Sequence, residues 1–577
     1  MKNLIITDSN DYTNSEISIL YIDKYCKNLK DFSVLNFIED NSHIIKKEFK
    51  KDLKKISNFI LKDNFINNNS FNFIYNFFLF DRSLYKYSSI NEYIKMIALK
   101  KFLYSKKNKF YIDLKISNKK KKDCLEKILK DLNIKFKNNY VSKNKDILNL
   151  NFFNQYLLIG KFILRRLFLK TSRNKVSNKK NYIIGYLAYI DKKKLYKGTL
   201  ETIYWGDVFK NKRDNFFLYI YNENVKNYIQ KIYQIQKNKN SNFLVLDTIL
   251  NIKDFFLIIF LWTKVAISFN KKKKGLQNYF NNLNKSYEIF DQDIYNSLFG
   301  FDCFMNVYYS YLFNKLSKKK FKSKKIFYTH ENQGWEKSLN FYLKNKTKKI
   351  YAVIGTPIRY WDTRYLQESN FFSEKDKKKY LPDFYAVNGK ISKKNLLNND
   401  FTKEKIVQVE AARYNFKEKL KNHKKIKKNF LIAGDYNREV NKKLENLVIK
   451  LSKVFKKDIF YIKQHPNLKF GNKLKKIKNC LFVDNKSISE LSDMCGKAII
   501  PNMTSASIDA IMNDLKTLVI YTDGQINFSP LKNVEGILHE KDEKMIINYF
   551  NNKLEQKINK NYLLNLNVNN KLWKKII

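Results

Sequence analysis

At 577 residues, 44% hydrophobic and 16% aromatic, the chain is too long for one core and too apolar to stay unfolded, which excludes both a single compact domain and a disordered polar protein. Its 112 Lys and Arg against 54 Asp and Glu leave a formal net charge of +58, which by itself points to a polyanionic partner. Lys, Asn, Ile, Phe and Tyr are abundant while Gly, Pro and Trp are scarce, the pattern of an AT-rich coding sequence; codon bias therefore accounts for most of the lysine excess, and attraction to an anionic membrane surface or to phosphorylated substrates ranks ahead of nucleic acid for the rest.

The amino terminus, MKNLIITDSNDYTNSE, turns polar after one short apolar run and lacks the core and cleavage site of a signal peptide. Five dispersed cysteines (Cys26, Cys124, Cys303, Cys480, Cys495) form no CxxC pair, which argues against a disulfide framework or a zinc site and fits a reducing cytosol. Residues 1–179 read as an α/β region without an assignable role, with a helix near Asn91–Tyr104, a strand near Phe110–Leu114 and a helix near Lys120–Leu132. Two aromatic, basic segments follow. Tyr156–Leu169 (YLLIGKFILRRLFL) is broken by Lys161, Arg165 and Arg166, and Phe255–Trp262 (FFLIIFLW) is cut off by Lys264 and the run Lys271–Lys274, short of the ~20 residues a membrane span needs. They fit buried helices and helices lying in a bilayer interface equally well.

Residues 180–399 predict a first Rossmann-like lobe: strands at Tyr182–Ile190, Phe216–Tyr221, Phe243–Leu246, Ile326–Thr329 and Ile350–Ile354, with a helix at Trp335–Leu343. The Lys- and Asn-rich stretches Thr171–Asn181 and Asn270–Gly275, and Phe371–Tyr380, read as surface loops. Residues 400–577 predict a second lobe, with strands Phe430–Ala433, Ile459–Lys463, Leu481–Val483, Ala498–Pro501 and Thr517–Tyr521. Helical patterns at Arg438–Phe455, Ser487–Cys495 and Ser507–Asn513 alternate with them, as a doubly wound parallel sheet requires.

The chemistry-bearing residues fall at strand ends, where open α/β sheets bind ligands. Lys463-Gln464-His465-Pro466 leaves a strand directly; the proline fixes the backbone and presents an imidazole able to donate to a phosphate. Ile500 to Ala510 places Thr504, Ser505, Ser507 and Asp509 at a strand-to-helix turn, where hydroxyls and helix N–H groups suit an anion, although capping by Ser is the simpler role. His330-Glu331-Asn332-Gln333-Gly334-Trp335-Glu336 is a third such junction, with Glu331, or else Glu336, suited to take a proton from a hydroxyl. Gly434-Asp435 ends the first strand of the second lobe, and Gly434 permits close approach of a ligand. Tyr204-Trp205-Gly206-Asp207 is an aromatic turn that either lines a second substrate's site or simply buries its Trp. No GxxxxGK[ST], GxGxxG, HExxH or GxSxG pattern occurs in the required context, and no DxD-type metal motif ends a strand in the second lobe.

The acidic loop, the strand-terminal His-Pro and the later Thr-Ser turn together resemble the GT-B-type bacterial sialyltransferases and related Kdo transferases, which use CMP-activated sugars. That resemblance implies Glu331 or Glu336 as base, His465 as stabiliser of the leaving group, and Ser505, with Thr504 and Ser507, as phosphate ligands. One departure stands out: those families carry two acidic residues before the glycine, whereas here a single Glu precedes Asn-Gln-Gly. The combination of YWGD, HENQGWE, EAARY and NFSPL, over about Ile183 to Leu531, also resembles a surface carbohydrate biosynthesis family of O-antigen-type gene clusters. The implied protein is an α/β chain of two Rossmann-like lobes, GT-B type, with an amino-terminal extension. Its expected activity is inverting, metal-independent transfer of a sugar, such as a nonulosonic or Kdo-like acid from CMP, to a glycan or lipid-linked glycan. In that reading Gly434, Lys463, His465, Pro466, Thr504, Ser505, Ser507 and Asp509 face the nucleotide, and Trp205, His330 and Trp335 lie on the acceptor side. The nucleotide-sugar is a co-substrate and no cofactor is implied; the expected location is cytoplasmic, with contact to the anionic inner-membrane surface. The rivals are a CDP-polyol phosphotransferase of teichoic-acid type, for which Ser505 and Asp509 fit a Ser-x-x-x-Asp helix start, a basic nucleic-acid-binding protein, and a non-catalytic scaffold.

Overall fold

A computed structural model describes residues 2–577 apart from 27–29, 63–66, 69–70, 107–108, 139–147, 168–177, 188–189, 191–201, 203, 210–213, 221–241, 283–286, 321, 367–371, 373, 415–427, 466–467 and 553–555. Three parallel sheets organise it. The first holds β1 (Lys2–Thr7), β2 (Ser18–Tyr21) and β3 (Phe32–Ser33); a small hairpin, β4 (Asn67–Asn68) with β5 (Phe71–Asn72), stands apart; β6 (Phe110–Lys115) and β7 (Phe136–Asn138) complete the order 3-2-1-6-7. The second holds β8 (Asn181–Tyr186), β9 (Asn215–Ile220), β10 (Phe243–Val245), β11 (Ser323–Thr329), β12 (Thr347–Ile354), β13 (Phe384–Val387) and β14 (Ile406–Gln408), in the order 10-9-8-11-12-13-14. The third holds β15 (Phe430–Ala433), β16 (Phe460–Lys463), β17 (Cys480–Phe482), β18 (Lys497–Pro501), β19 (Lys516–Ile520) and β20 (Leu538–Glu540), in the order 17-16-15-18-19-20.

Each sheet grows outward from its first strand in one direction and then resumes on that strand's other side. The reversal falls between β8 and β11 in the second sheet and between β15 and β18 in the third, where Phe430 pairs with Lys497 and Ile432 with Ile499. At such a switch point the loops diverge and leave a crevice beyond the carboxyl ends of the strands. The central strands, such as FLIA of β15, are buried at every position because helices cover both faces. The protein is thus α/β, built of Rossmann-like parallel-sheet units, as the alternating pattern of its last two-thirds indicates.

Several local expectations differ from the structure. The strand from Tyr182 ends at Tyr186 rather than Ile190. Asn270–Gly275 is no loop but lies inside a 31-residue helix, Ile252–Asn282, because the lysines continue its solvent-facing side; Glu374–Tyr380 is likewise helical. Positions 171–177 of the expected loop lie outside the described residues, and Asn181 already opens β8. The second sheet continues past residue 399 to β14.

The carboxyl terminus returns to the second sheet. Trp573, on the helix Lys571–Ile576, is buried among Ile183, Trp205, Phe209, Phe327 and Val353, with its ring 5.8 Å from Phe209 and 6.4 Å from Trp205. Glu410 fixes the helix start: its carboxylate accepts from the Leu572 and Trp573 amides at 2.7 and 3.0 Å, and its carbonyl accepts from the Trp573 indole at 2.8 Å. Gly206, at φ +48°, lies so close to the Ala412 carbonyl that a Cβ there would sit 2.6 Å from it. The YWGD and EAARY segments are therefore a structural joint. Trp573→Ala is expected to destabilise the protein by about 3–5 kcal/mol, the cost of emptying a large aromatic site, read as a shift in urea midpoint.

The first sheet docks on the segment after β19. Tyr25 stacks on Tyr521 at 4.5 Å and its amide donates to the Asp523 carboxylate at 2.9 Å; Gly524 N–H donates to the Asp23 carbonyl at 2.6 Å, and Lys532 pairs with Glu39 at 2.5 Å. These contacts clamp the first unit to the third sheet.

Candidate functional site

Loops of the two switch points and one loop of the first unit approach one another here, Arg359 touching Tyr85, Met503 and Phe528 and coupling to the charges of Asp435 and Tyr436. From the third sheet come Gly434-Asp435-Tyr436 after β15, His465 after β16 and Asn502 to Ser505 after β18; from the second come His330 and Glu331 after β11, and Arg359 and Arg364 after β12. Tyr85 comes from the first unit, and Phe528 from the segment after β19.

Arg359 is buried. Its Nη1 contacts the Tyr85 hydroxyl, its Nη2 donates to the Met503 carbonyl at 3.4 Å, and its guanidinium lies over the rings of Tyr85 and Phe528 at 5.3 and 4.9 Å. Its Nε has no partner, no carboxylate among the described residues stands within ion-pair distance, and burial lowers its pKa to about 10. Arg364 is different: it forks onto Asp362 with two bonds of 2.8 Å and is held well above the usual arginine range, with a contribution from the Glu331 charge.

Asp435 is fully buried. One carboxylate oxygen accepts from the Asn437 amide at 2.9 Å while the other has no partner, and desolvation raises its pKa to about 6 against a smaller opposing pull from Arg359. Asn441 holds the turn by bonding both the amide and the carbonyl of Asp435 at 2.7 and 2.9 Å. Gly434 packs tightly there: a Cβ would stand 3.0 Å from the His465 amide and from the Phe470 ring, so a side chain would have to push the neighbouring loop aside. His465 is half-buried, with a pKa lowered by desolvation, and its ring lies 6.2 Å from that of Tyr436. Gln464 pins the loop by bonding Asp484 and the Phe470 amide. Tyr85 and Tyr436, 37% and 40% exposed with rings 6.0 Å apart, stand at the mouth.

The other sequence candidates take definite places. Lys463 turns away from the crevice, its ammonium donating to the Lys486 carbonyl at 2.5 Å. Pro466 lies outside the described residues. Ser505 starts the helix Ala506–Met512 with no capping bond from its side chain, so its hydroxyl is not committed to the simpler role; Thr504 accepts from the Ala506 amide at 3.2 Å instead. Ser507 is buried and donates to the Thr504 carbonyl at 3.4 Å. Asp509 sits inside that helix beside Tyr414, whose pKa its charge helps raise.

The two glutamates have separated roles. Glu336 is buried on the first turn of Gly334–Leu343, where one oxygen accepts from the Glu331 and Gln333 amides at 2.8 and 3.1 Å and the other meets His330 Nδ1. Both oxygens are thus used in capping and in holding the imidazole, which leaves Glu331, partly exposed and bonded to the Gln333 amide side chain at 3.1 Å, as the carboxylate near the surface. Asn332, at φ 56°, turns the loop and donates to the carbonyls of Phe80, Asp81 and Arg364. Two acceptor-side expectations give way to packing. Trp205 fills the core around Trp573, and Trp335 is buried against Tyr328 and Phe313, with its indole donating to the Tyr186 hydroxyl at 3.0 Å.

Arg359, Arg364, Tyr85 and Tyr436 have no counterpart among the sequence candidates, and Phe528 enters there only as part of NFSPL. A signal existed for the arginines. Only nine of the chain's 112 basic residues are arginine, and three, Arg82, Arg359 and Arg364, converge here, where planar forks and stacking distinguish arginine from lysine. Among the described residues no three His, Cys, Asp or Glu side chains form a group that could hold a metal ion.

Fold and site together define an α/β protein whose strand-end loops converge at paired switch points. No family model and no curated protein matches the sequence. Solved structures similar to it include UDP-GlcNAc 2-epimerase from Neisseria meningitidis bound to UDP-GlcNAc, at 12% identity and a TM-score of 0.37 over 69% of this chain and 97% of the other. Two more are the S. aureus MnaA–UDP co-structure, at 12% and 0.32 over 60% and 80%, and Anabaena HepE in complex with UDP and glucose, at 9% and 0.32 over 65% and 89%. At these scores the likeness is loose, and the crevice is read from its own residues.

Proposed function

We propose that the protein is a glycosyltransferase of GT-B arrangement in surface polysaccharide biosynthesis, transferring a nonulosonic or Kdo-like acid from CMP to a glycan or lipid-linked glycan, with inversion and without a metal. The single observation that carries this reading is Arg359, a desolvated guanidinium with no described carboxylate at ion-pair distance, held between Tyr85 and the Met503 carbonyl where loops of the two switch points meet. A buried cation is costly unless an anion meets it, and a departing phosphate is such an anion. An acceptor hydroxyl oxygen attacks the anomeric carbon as the bond from that carbon to the phosphate oxygen breaks. The hydroxyl proton passes to Glu331, and the phosphate leaves with both bonding electrons toward Arg359 and a hydrogen bond from His465. Glu336 orients the loop that carries Glu331, and Tyr85 and Tyr436 offer aromatic faces to the donor.

Thermal unfolding with CMP, CDP, UDP, GDP and their sugars tests the reading. A ligand at a hundredfold excess over its Kd stabilises the folded state by about 2.7 kcal/mol. The expected outcome is selective stabilisation by CMP and a CMP-sugar, reduced in His465→Ala and Ser505→Ala. Stabilisation by CDP-glycerol alone moves the activity to polyol-phosphate transfer, and no response to any nucleotide ends the transferase reading in favour of a scaffold.

A further inference from the structure

We infer that the paired helices Leu148–Leu167 and Ile252–Asn282 form a monotopic docking face for an anionic lipid bilayer. This inference stands independently of the chemistry in the crevice. Both helices lie on the helix Phe301–Ser317: Phe162 packs against Phe304 and Tyr308, Phe255 against Tyr308, and Trp262 against Phe304. They touch each other through Tyr156 and Trp262 at 5.8 Å. Their inner sides are therefore satisfied, and what remains outside needs its own explanation.

On the longer helix the outward positions Phe256, Leu257, Phe260, Lys264, Ile267, Lys271 and Lys274 recur at helical spacing along one face. Phe256 and Phe260 are 70% and 65% exposed, and on the shorter helix Leu157 and Leu164 flank exposed Lys161 in the same manner. Clustered large apolar side chains in water mark an interaction surface. The charge selects the occupant. The shorter helix contains no acidic residue, and the only acid on the longer one, Asp254, is buried and already bonded to Lys315 and Tyr311. Apolar side chains with lysines in the same stripe suit insertion below anionic headgroups; no helix among the described residues is long and apolar enough to cross a bilayer, so the face lies on the membrane. The supporting helix Phe301–Ser317 packs on Gly334–Leu343, which carries Glu336, so the docked face belongs to the unit that holds the Glu331 loop.

Flotation of the full chain with vesicles tests this. With phosphatidylcholine and phosphatidylglycerol in equal parts the protein should float at low salt, and with phosphatidylcholine alone it should not. Lys264→Ala and Lys271→Ala should each weaken partitioning about fivefold, the equivalent of ~1 kcal/mol per lysine near a charged surface. The double variant Phe256→Glu/Phe260→Glu should weaken it at least tenfold, while unchanged circular dichroism and melting show that these exposed positions do not hold the fold. Failure to float with anionic vesicles overturns the inference, as does a Phe256→Glu/Phe260→Glu variant that floats like the parent. A parent dimer that this variant converts to monomer, with no vesicle binding, assigns the face to a second copy instead. Salt-sensitive RNA binding through Lys264 and Lys271 without flotation assigns it to nucleic acid.

Discussion

Arg359→Ala is expected to lower turnover by about a hundred- to a thousandfold and to leave the unfolding free energy unchanged or slightly raised. The first half follows from what a preorganised donor to a developing charge contributes when it is removed from an excluded site. The second half follows from its surroundings. The guanidinium is buried with no described carboxylate at ion-pair distance and an unpaired Nε, and this desolvation cost offsets what the ligand-free fold gains from the Tyr85 hydroxyl, the 3.4 Å bond to the Met503 carbonyl and the rings of Tyr85 and Phe528. Arg364→Ala is the contrasting case: it strips a bidentate partner from Asp362, which is itself buried, and should cost about 3 kcal/mol or more of stability. Arg359→Lys keeps the charge but loses the planar fork, so partial recovery of turnover is expected. If Arg359→Ala unfolds as readily as Arg364→Ala, Arg359 is a packing residue and the crevice loses its anion site.

The architecture was legible because parallel strands buried on both faces write themselves as short apolar runs; FLIA, IFYIK, AIIP and TLVIY all fall on strands of the third sheet. Where lysine lies on the outer face of a helix, as over residues 270–275, composition mimics a loop and only the helical spacing of Phe256, Phe260 and Ile267 reveals the element. The edge strands β3 and β20 are too short to show a period. At the site, strand ends were visible but side-chain direction was not. Lys463 and His465 are two residues apart, yet one reaches the Lys486 carbonyl in the loop after β17 and the other the ring of Tyr436. Arg359 and Tyr85 are 274 positions apart, and only the docking of the first unit onto the second, where Arg82 and Thr363 exchange hydrogen bonds, brings them together.

Asp435→Asn is expected to make the protein more stable at pH 7 and less active. Burial raises the Asp435 pKa from 3.8 to about 6, the reverse of a salt-bridged carboxylate. The native state therefore binds its proton more tightly than the unfolded chain does, so stability is lost as pH rises from about 4 to 6 and stays lower above that range. At 1.36 kcal/mol per unit the penalty at neutral pH is on the order of 3 kcal/mol. Asparagine keeps the acceptor for the Asn437 amide and removes the charge, so the variant should exceed the parent by up to that amount at pH 7 and match it near pH 4 in urea unfolding. The unpaired oxygen, on the turn that leaves β15 for the crevice, is the part that a donor hydroxyl would use. Parent kcat/KM should consequently carry a pH limb near 6 that the Asn variant lacks. His465, whose pKa burial lowers from 6.5, follows the neighbouring strand β16, so the limb must persist in His465→Ala for the assignment to stand. A variant no more stable than the parent at neutral pH would place Asp435 in a wetter setting, with its second oxygen already satisfied.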